Sequence, residues 1–293
     1  MASSIANVNM LSNNERNFFE ALLERNIRAD GRNKTEARKV NVEFRRTTKS
    51  LKQCNSHCQV SFGETKALAV VSCEVVEPYP DRQTEGILSI STTLSPMASQ
   101  HFEFGKQSNS PQAIKVGSAI EQAIRESKAL DVEALCIVAG SKVWSIRCDV
   151  HILNHCGNLV DAGCLAALGA LAHFRRPEVS VVGDVVTIYE LDEREPVPLS
   201  IHHLPLCVSF GLYRTKSPSN SDSPKKPQVY VITDPTDREE EIMNGMLTVV
   251  VNPHGEICSL IKQGWPPLSI DDLDFCISIA TEKSKEWAAL IKS

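Results

Sequence analysis

Aromatic residues are scarce in this chain. Trp, Tyr and Phe make up 5% of its 293 residues. They are scattered rather than interleaved with basic positions, which argues against a platform for stacking successive bases and so against sequence-specific reading of single-stranded RNA. A surplus of positive charge is missing too. With 31 Lys and Arg against 36 Asp and Glu, the formal net charge is −5. Any contact with nucleic acid must then run through a local patch or a surface shared with partners. No apolar run reaches the length of a membrane span, so no membrane association is expected. The opening MASSIANVNM has neither a charged n-region nor an apolar h-region, so no secretory signal is expected.

Paired metal-ligand spacings are also lacking. His151 and His155 are separated as helical ligands would be, but their segment reads as a strand and its corner. Cys54, His57 and Cys58 have no complementary second pair, and His202-His203 stand alone. Neither metal nor cofactor is expected. The 10 cysteines are plentiful, but Cys73, Cys136, Cys148, Cys164, Cys207 and Cys276 sit inside apolar runs. There a free thiol packs as a small hydrophobe, so reduced thiols of the cytosol or nucleus are expected.

What the chain does have is a dense block from Val132 to Pro177. Leu135, Ile137 and Ala139 alternate before a Gly-Ser-Lys turn, and Val143, Ile146, Cys148, Val150 and Ile152 continue the pattern of half-buried strands. A Gly157-Asn158 corner follows. From Ala162 to His173 the residues are small or apolar all round, which predicts a helix in the middle of a domain.

Before this block, Asn13 is expected to cap a helix over 14–26 that Gly31 stops. Strands are predicted over 40–46, 58–62, 67–76 and 87–94, and a helix opening at Ser110-Pro111 and running to about Lys128. After the block, strands are predicted over 179–182, 185–189, 204–212, 229–233, 247–252 and 257–262. Ser269 and Asp272 open a last helix with a capping pattern. The result is an α+β fold with an N-terminal helical segment (1–30), one domain over 31–177 and a second over 178–293. Residues 215–227, TKSPSNSDSPKKP, read as a disordered surface loop in which Ser217 and Ser223 precede Pro.

LCIVAGSKVWSIRCDVHILNHCGNLVDA, together with RADGR at 28–32, TEGILSISTTLSP at 84–96, EREPVPLSIHHLPLCVSF at 193–210 and TDPTDREEEIMNGMLTVVVN at 233–252, resembles the RNase PH-like subunits of the exosome ring. The resemblance implies an RNase PH-like fold of two β-α-β halves packed into one compact unit. It also implies 3′-to-5′ RNA processing and degradation, including rRNA maturation and mRNA turnover, in the nucleus, nucleolus and cytoplasm. The implied partners are other RNase PH-like ring subunits, S1/KH cap subunits and associated nucleases, and single-stranded RNA.

Active relatives attack RNA with inorganic phosphate, held partly by a Ser-Arg or Thr-Arg pair just before the buried helix, and carry paired Asp residues after the insertion loop. Here the matching positions are Asn158-Leu159 and, near the second pair, Glu240 and Met246. Leu159 offers no guanidinium fork and Met246 no acid/base group. The resemblance therefore implies a chain with no catalytic residues of its own. The alternative is a phosphate-dependent 3′-exoribonuclease, alone or as half of a composite site. Asp234, Asp237, Glu239, Glu240 and Glu241 are expected to form a solvated turn and the acidic first turn of a helix, and Asp161 a structural group beside the buried helix.

Lys106, Lys115 and Arg125 form a group of candidate RNA-binding cations; in RNase PH-like rings this region faces the central channel, so the resemblance implies RNA contact through Lys106 and Arg125. Arg125 is also spaced to pair with Glu121. A second basic run, Arg32, Lys34, Arg38, Lys39, Arg45, Arg46, Lys49 and Lys52, is expected either to track a phosphate backbone or to solvate a strand edge.

Overall fold

The structure is a computed structural model that describes residues 11–47, 55–99, 102, 108, 110–182, 185–189, 193–214 and 229–292. Lys106, Lys49, Lys52 and the predicted loop at 215–227 lie outside the described residues.

The chain opens with α1 (Asn13–Glu24), followed by β1 (Val40–Thr47), β2 (Asn55–Phe62), β3 (Thr65–Val76) and β4 (Ile87–Leu94). The cap of α1 is Ser12 rather than Asn13. Ser12 Oγ accepts from the Glu15 N–H, and the Glu15 carboxylate accepts from the Ser12 N–H, a reciprocal capping box. Next comes α2 (Pro111–Glu121), capped by Ser110 with Pro111 in its first turn. It relaxes into a π turn over Gln122–Glu126. A short 3-10 turn at Glu133–Leu135 leads into β5 (Cys136–Val138) and β6 (Lys142–Asn154). These strands share one sheet, ordered β1-β2-β3-β6-β4, with β5 also paired to β6 and β4 running parallel to β6.

The predicted central helix is α3 (Leu159–His173), and residues 161 to 171 are buried throughout. One face of the sheet meets it. Cys58, Val60 and Phe62 of β2, Ala67, Ala69 and Val71 of β3, and Ile146, Cys148, Val150 and Ile152 of β6 alternate inward with no exposed surface. Two short pairings follow, β7 (Arg175–Arg176) with β10 (Val197–Pro198) and β8 (Val179–Val182) with β9 (Val185–Ile188).

The second half holds β11 (Leu206–Arg214), β12 (Val229–Thr233), α4 (Asp237–Ile242), β13 (Gly245–Val251), β14 (Ile257–Gly264) and α5 (Ile270–Lys292). Its sheet is antiparallel, in the order β12-β11-β13-β14. One hydrophobic core runs through both halves, from β2, β3 and β6 through α3 to β11, β13 and α5. The Phe62 and Trp287 rings meet edge-to-face at 5.0 Å across that join. A smaller cluster of Phe19, Leu23, Tyr213, Ile232 and Ile242 seats α1 on the second half. Among the described residues, no helix is long and apolar enough to cross a membrane.

Candidate functional site

Three segments distant in sequence converge at the β6–α3 corner: the arm at 25–39, the corner Cys156-Gly157-Asn158, and the loop from β12 to α4. Asp234 is their hub. It is buried, and its backbone is left-handed at φ 50°. Its Oδ2 accepts from Arg38 N (2.8 Å), Arg38 Nε (2.9 Å) and Arg32 Nη1 (2.9 Å). Its Oδ1 accepts from Arg38 Nη2 and Asn158 Nδ2, both at 2.7 Å. Burial pushes this carboxyl up, but the Arg38 hydrogen bonds and charge, helped by Asn158, win and bring it to about 2.

Arg38 also clamps the corner, donating from Nη1 to the Cys156 carbonyl (2.9 Å) and from Nη2 to that of Gly157 (3.1 Å). Beside it, Arg28 forms a bidentate pair with Glu239, at 3.0 and 2.6 Å, and donates to the carbonyls of Thr233 and Asp234.

This hub corrects two expectations. The Arg32 and Arg38 side chains are only 12% and 11% exposed and are ion-paired, so neither is free to track a phosphate backbone. Asp234 and Glu239 are buried partners of arginines, not solvated acids. Sequence reading missed this because each Arg lies some 200 residues from its acid. The only signal was complementary charge, with Arg28, Arg32 and Arg38 set against the acids of 234–241. Of the remaining basic run, Arg45 is exposed and Lys34 lies over the Tyr230 ring at 4.0 Å.

Asn158 is the pivot between this hub and two further acids. Its Nδ2 also donates to Asp161 Oδ2 at 2.8 Å. Asp161 accepts in addition from Ser209 N (2.8 Å) and Oγ (2.6 Å), tying α3 to β11. Its role is structural, as expected. Burial pushes the Asp161 carboxyl up to about 7, against the bonds from Ser209 and Asn158. Glu240 Oε1 accepts the Asn158 N–H at 2.6 Å, so a carboxylate of the chain itself sits at the start of α3. Burial also brings Glu240 up to about 7, opposed by Asn158 and Arg38.

A cavity of about 160 Å³ opens beside this corner, between α2, α3, β13 and β14. Asn158, Leu159, Glu240 and Met246, the four positions singled out from the sequence, line it together, as does Lys115. Arg125 does not. It lines a separate cavity with Arg82, Lys128 and His202, and is paired with Glu121 at 2.6 Å on the surface. Among the described residues, no cluster of three or more His, Cys, Asp and Glu is placed to hold a metal.

The raised acids set a pH dependence. A carboxyl whose folded pKa lies above its unfolded value stabilises the fold below the unfolded pKa, and that contribution is lost as pH rises through the folded value. For Asp161 and Glu240 the window runs from about 4 to about 7. Asp234 acts oppositely, and its contribution is lost only as pH falls toward about 2. The urea midpoint should therefore drop between about pH 5 and about pH 8, and Glu240→Gln should flatten that drop. A midpoint that rises over this range, or an unchanged slope in the variant, would contradict the assignment.

A hairpin-fed, largely buried helix set between a mixed sheet and an antiparallel sheet, with a cavity at its N-terminus, defines an RNase PH-type α+β unit. Models of the 3′ exoribonuclease family match residues 36–177 with domain 1 and residues 203–283 with domain 2. The chain belongs to the 3′ exoribonuclease (RNase PH) family. It is similar to exosome complex component RRP45 of Bos taurus, at 43% identity over 96% of this chain and 59% of that protein. The rrp45 component of Schizosaccharomyces pombe is 41% identical over 86% of this chain and 79% of that protein. Among solved structures, a chain of the Archaeoglobus fulgidus exosome with RNA bound to the active site aligns at TM-score 0.74 and 26% identity, covering 94% of this chain and 96% of its own. The chain spans just under 60% of the length of the bovine relative.

Proposed function

We propose that this chain is a non-catalytic subunit of an exosome core ring that guides single-stranded RNA toward nucleases of the same assembly. In this reading it supports 3′-to-5′ processing and degradation in the nucleus, nucleolus and cytoplasm, beside other RNase PH-like subunits and under S1/KH cap subunits. The observation that carries the reading is Glu240. Phosphorolysis needs an anion held at the head of α3, and there the Asn158 N–H is already taken by the Glu240 carboxylate at 2.6 Å. A second anion at that place finds this donor already occupied. Leu159 and Met246 line the same cavity and supply neither a phosphate fork nor acid/base chemistry.

Guidance of RNA falls to exposed cations. Lys115 stands exposed at the cavity, Arg125 is exposed on the same helical stretch, and Lys106 lies nearby in sequence. The test is filter binding of single-stranded RNA to rings assembled with Lys115→Glu and Arg125→Glu. Affinity should fall several-fold at low salt, and the salt slope should shrink by roughly one for each phosphate that the parent side chain neutralises. Unchanged affinity and slope in the intact ring would remove both residues from the RNA path.

A further inference from the structure

A third concave surface shares no lining residue with the corner cavity. It is a groove of about 430 Å³ walled by His173, His202, His203 and His254, with Lys292 at its edge. These four imidazoles come from three places: the end of α3, the segment before β11 and the β13–β14 turn. Among the described residues no carboxylate side chain lines the groove, although the chain as a whole is acidic. Leu199, Ile201, Leu204 and Ile291 give it an apolar floor.

The surroundings add positive charge. Arg175 Nη1 donates to the Ala172 and Phe174 carbonyls, so a guanidinium closes the end of α3 beside the groove. His173 is stacked on Phe44, with ring centroids 3.8 Å apart, and its Nδ1 donates to the Gly169 carbonyl at 3.2 Å. His203 is held below the ordinary imidazole value by burial and then by His202, with Glu256 acting against them. On its other side His202 borders the cavity whose charged lining is Arg82, Glu85, Arg125, Lys128, Asp131 and Glu133.

We infer that this groove docks an acidic protein segment with aliphatic side chains between its carboxylates, and holds it more tightly as the imidazoles gain protons. Charge complementarity selects the carboxylates. The apolar floor favours a peptide over an RNA backbone, which has nothing to bury there. The ligand's aspartates stay ionised through neutral pH, so the pH dependence belongs to the groove.

The test is fluorescence anisotropy on the full chain with a labelled synthetic peptide of alternating aspartate and leucine, at about pH 6 and about pH 7.5. Binding should be at least about tenfold tighter at the lower pH. A His202→Gln/His254→Gln double variant, changed only at exposed positions, should lose most of that gain and keep its melting midpoint. If the double variant does not fold, His254→Gln alone should lose part of the gain. Equal affinity at both pH values, no binding at either, or an unaltered gain in the variants would overturn the inference. So would displacement of the peptide by oligoadenylate, which would make the groove an RNA site.

Discussion

Asp234→Ala should lower the melting midpoint on the order of 10 °C, because it removes the acid that three segments share. Arg38 would keep its hydrogen bonds to the Cys156 and Gly157 carbonyls but lose its counter-charge. Arg32 would lose its 2.9 Å partner and Asn158 one of its two acceptors. Breaking a buried pair by deleting one member typically costs about 3–5 kcal/mol, since the remaining charge stays desolvated. Arg32 keeps Asp30 and a little solvent exposure, which places the expected loss at the lower end of that range. A midpoint within about 2 °C of the parent chain would show that the hub is not what joins the arm to the second half.

Gly157→Ala should be at least as damaging, for a different reason. Gly157 has φ 90°, and a Cβ there would stand 2.5 Å from Asp237 N and from the Thr236 carbonyl carbon, and 2.6 Å from the Pro235 oxygen. All three are backbone atoms, so no side chain can swing aside. The loop before α4 would have to retreat, pulling Glu240 off the Asn158 N–H. Gly31→Ala provides the control. It shares the positive φ, at 78°, but its Cβ meets nothing within 4 Å. Backbone strain alone costs about 1 kcal/mol, so Gly31→Ala should be mild. Gly157→Ala should lose about 3 kcal/mol or more, or yield little soluble protein. Equal effects of the two substitutions on the urea midpoint would mean that the close approach at the corner does not constrain the fold.

The strands bounded by clear breaks were legible from sequence. Ile87–Leu94 and Val229–Thr233 fall where alternation and flanking turns place them, and the all-apolar stretch after Asn158 is the buried α3. The cap of α1 was within reach too, since Ser12 and Glu15 have the spacing of a capping box, and a nearer Asn drew the reading one residue on. The π turn at Gln122–Glu126 leaves no mark in hydrophobic period.

The site was half legible. Leu159, Glu240 and Met246, which the family resemblance had picked out across a long stretch of chain, share a cavity in the fold. The fates of Arg32, Arg38 and Asp234 were hidden for the opposite reason. Their chemistry exists only once the arm folds back against the β12–α4 loop, and a local reading of a basic run sees only solvated charge. Glu240 as the acceptor at the head of α3 likewise depends on tertiary geometry, because nothing near it in sequence names Asn158 as its partner.

Catalytic inertness is tested most directly by phosphate-dependent release of nucleoside diphosphates from single-stranded RNA by the purified chain, with Glu240→Ala measured in parallel. On the proposed reading no release above background is expected from the parent chain, because the Asn158 N–H is taken by Glu240 and Leu159 and Met246 supply no replacement chemistry. Sustained release by the chain alone that requires phosphate, and that disappears in Glu240→Ala, would overturn this and make Glu240 a working acid of an active exoribonuclease.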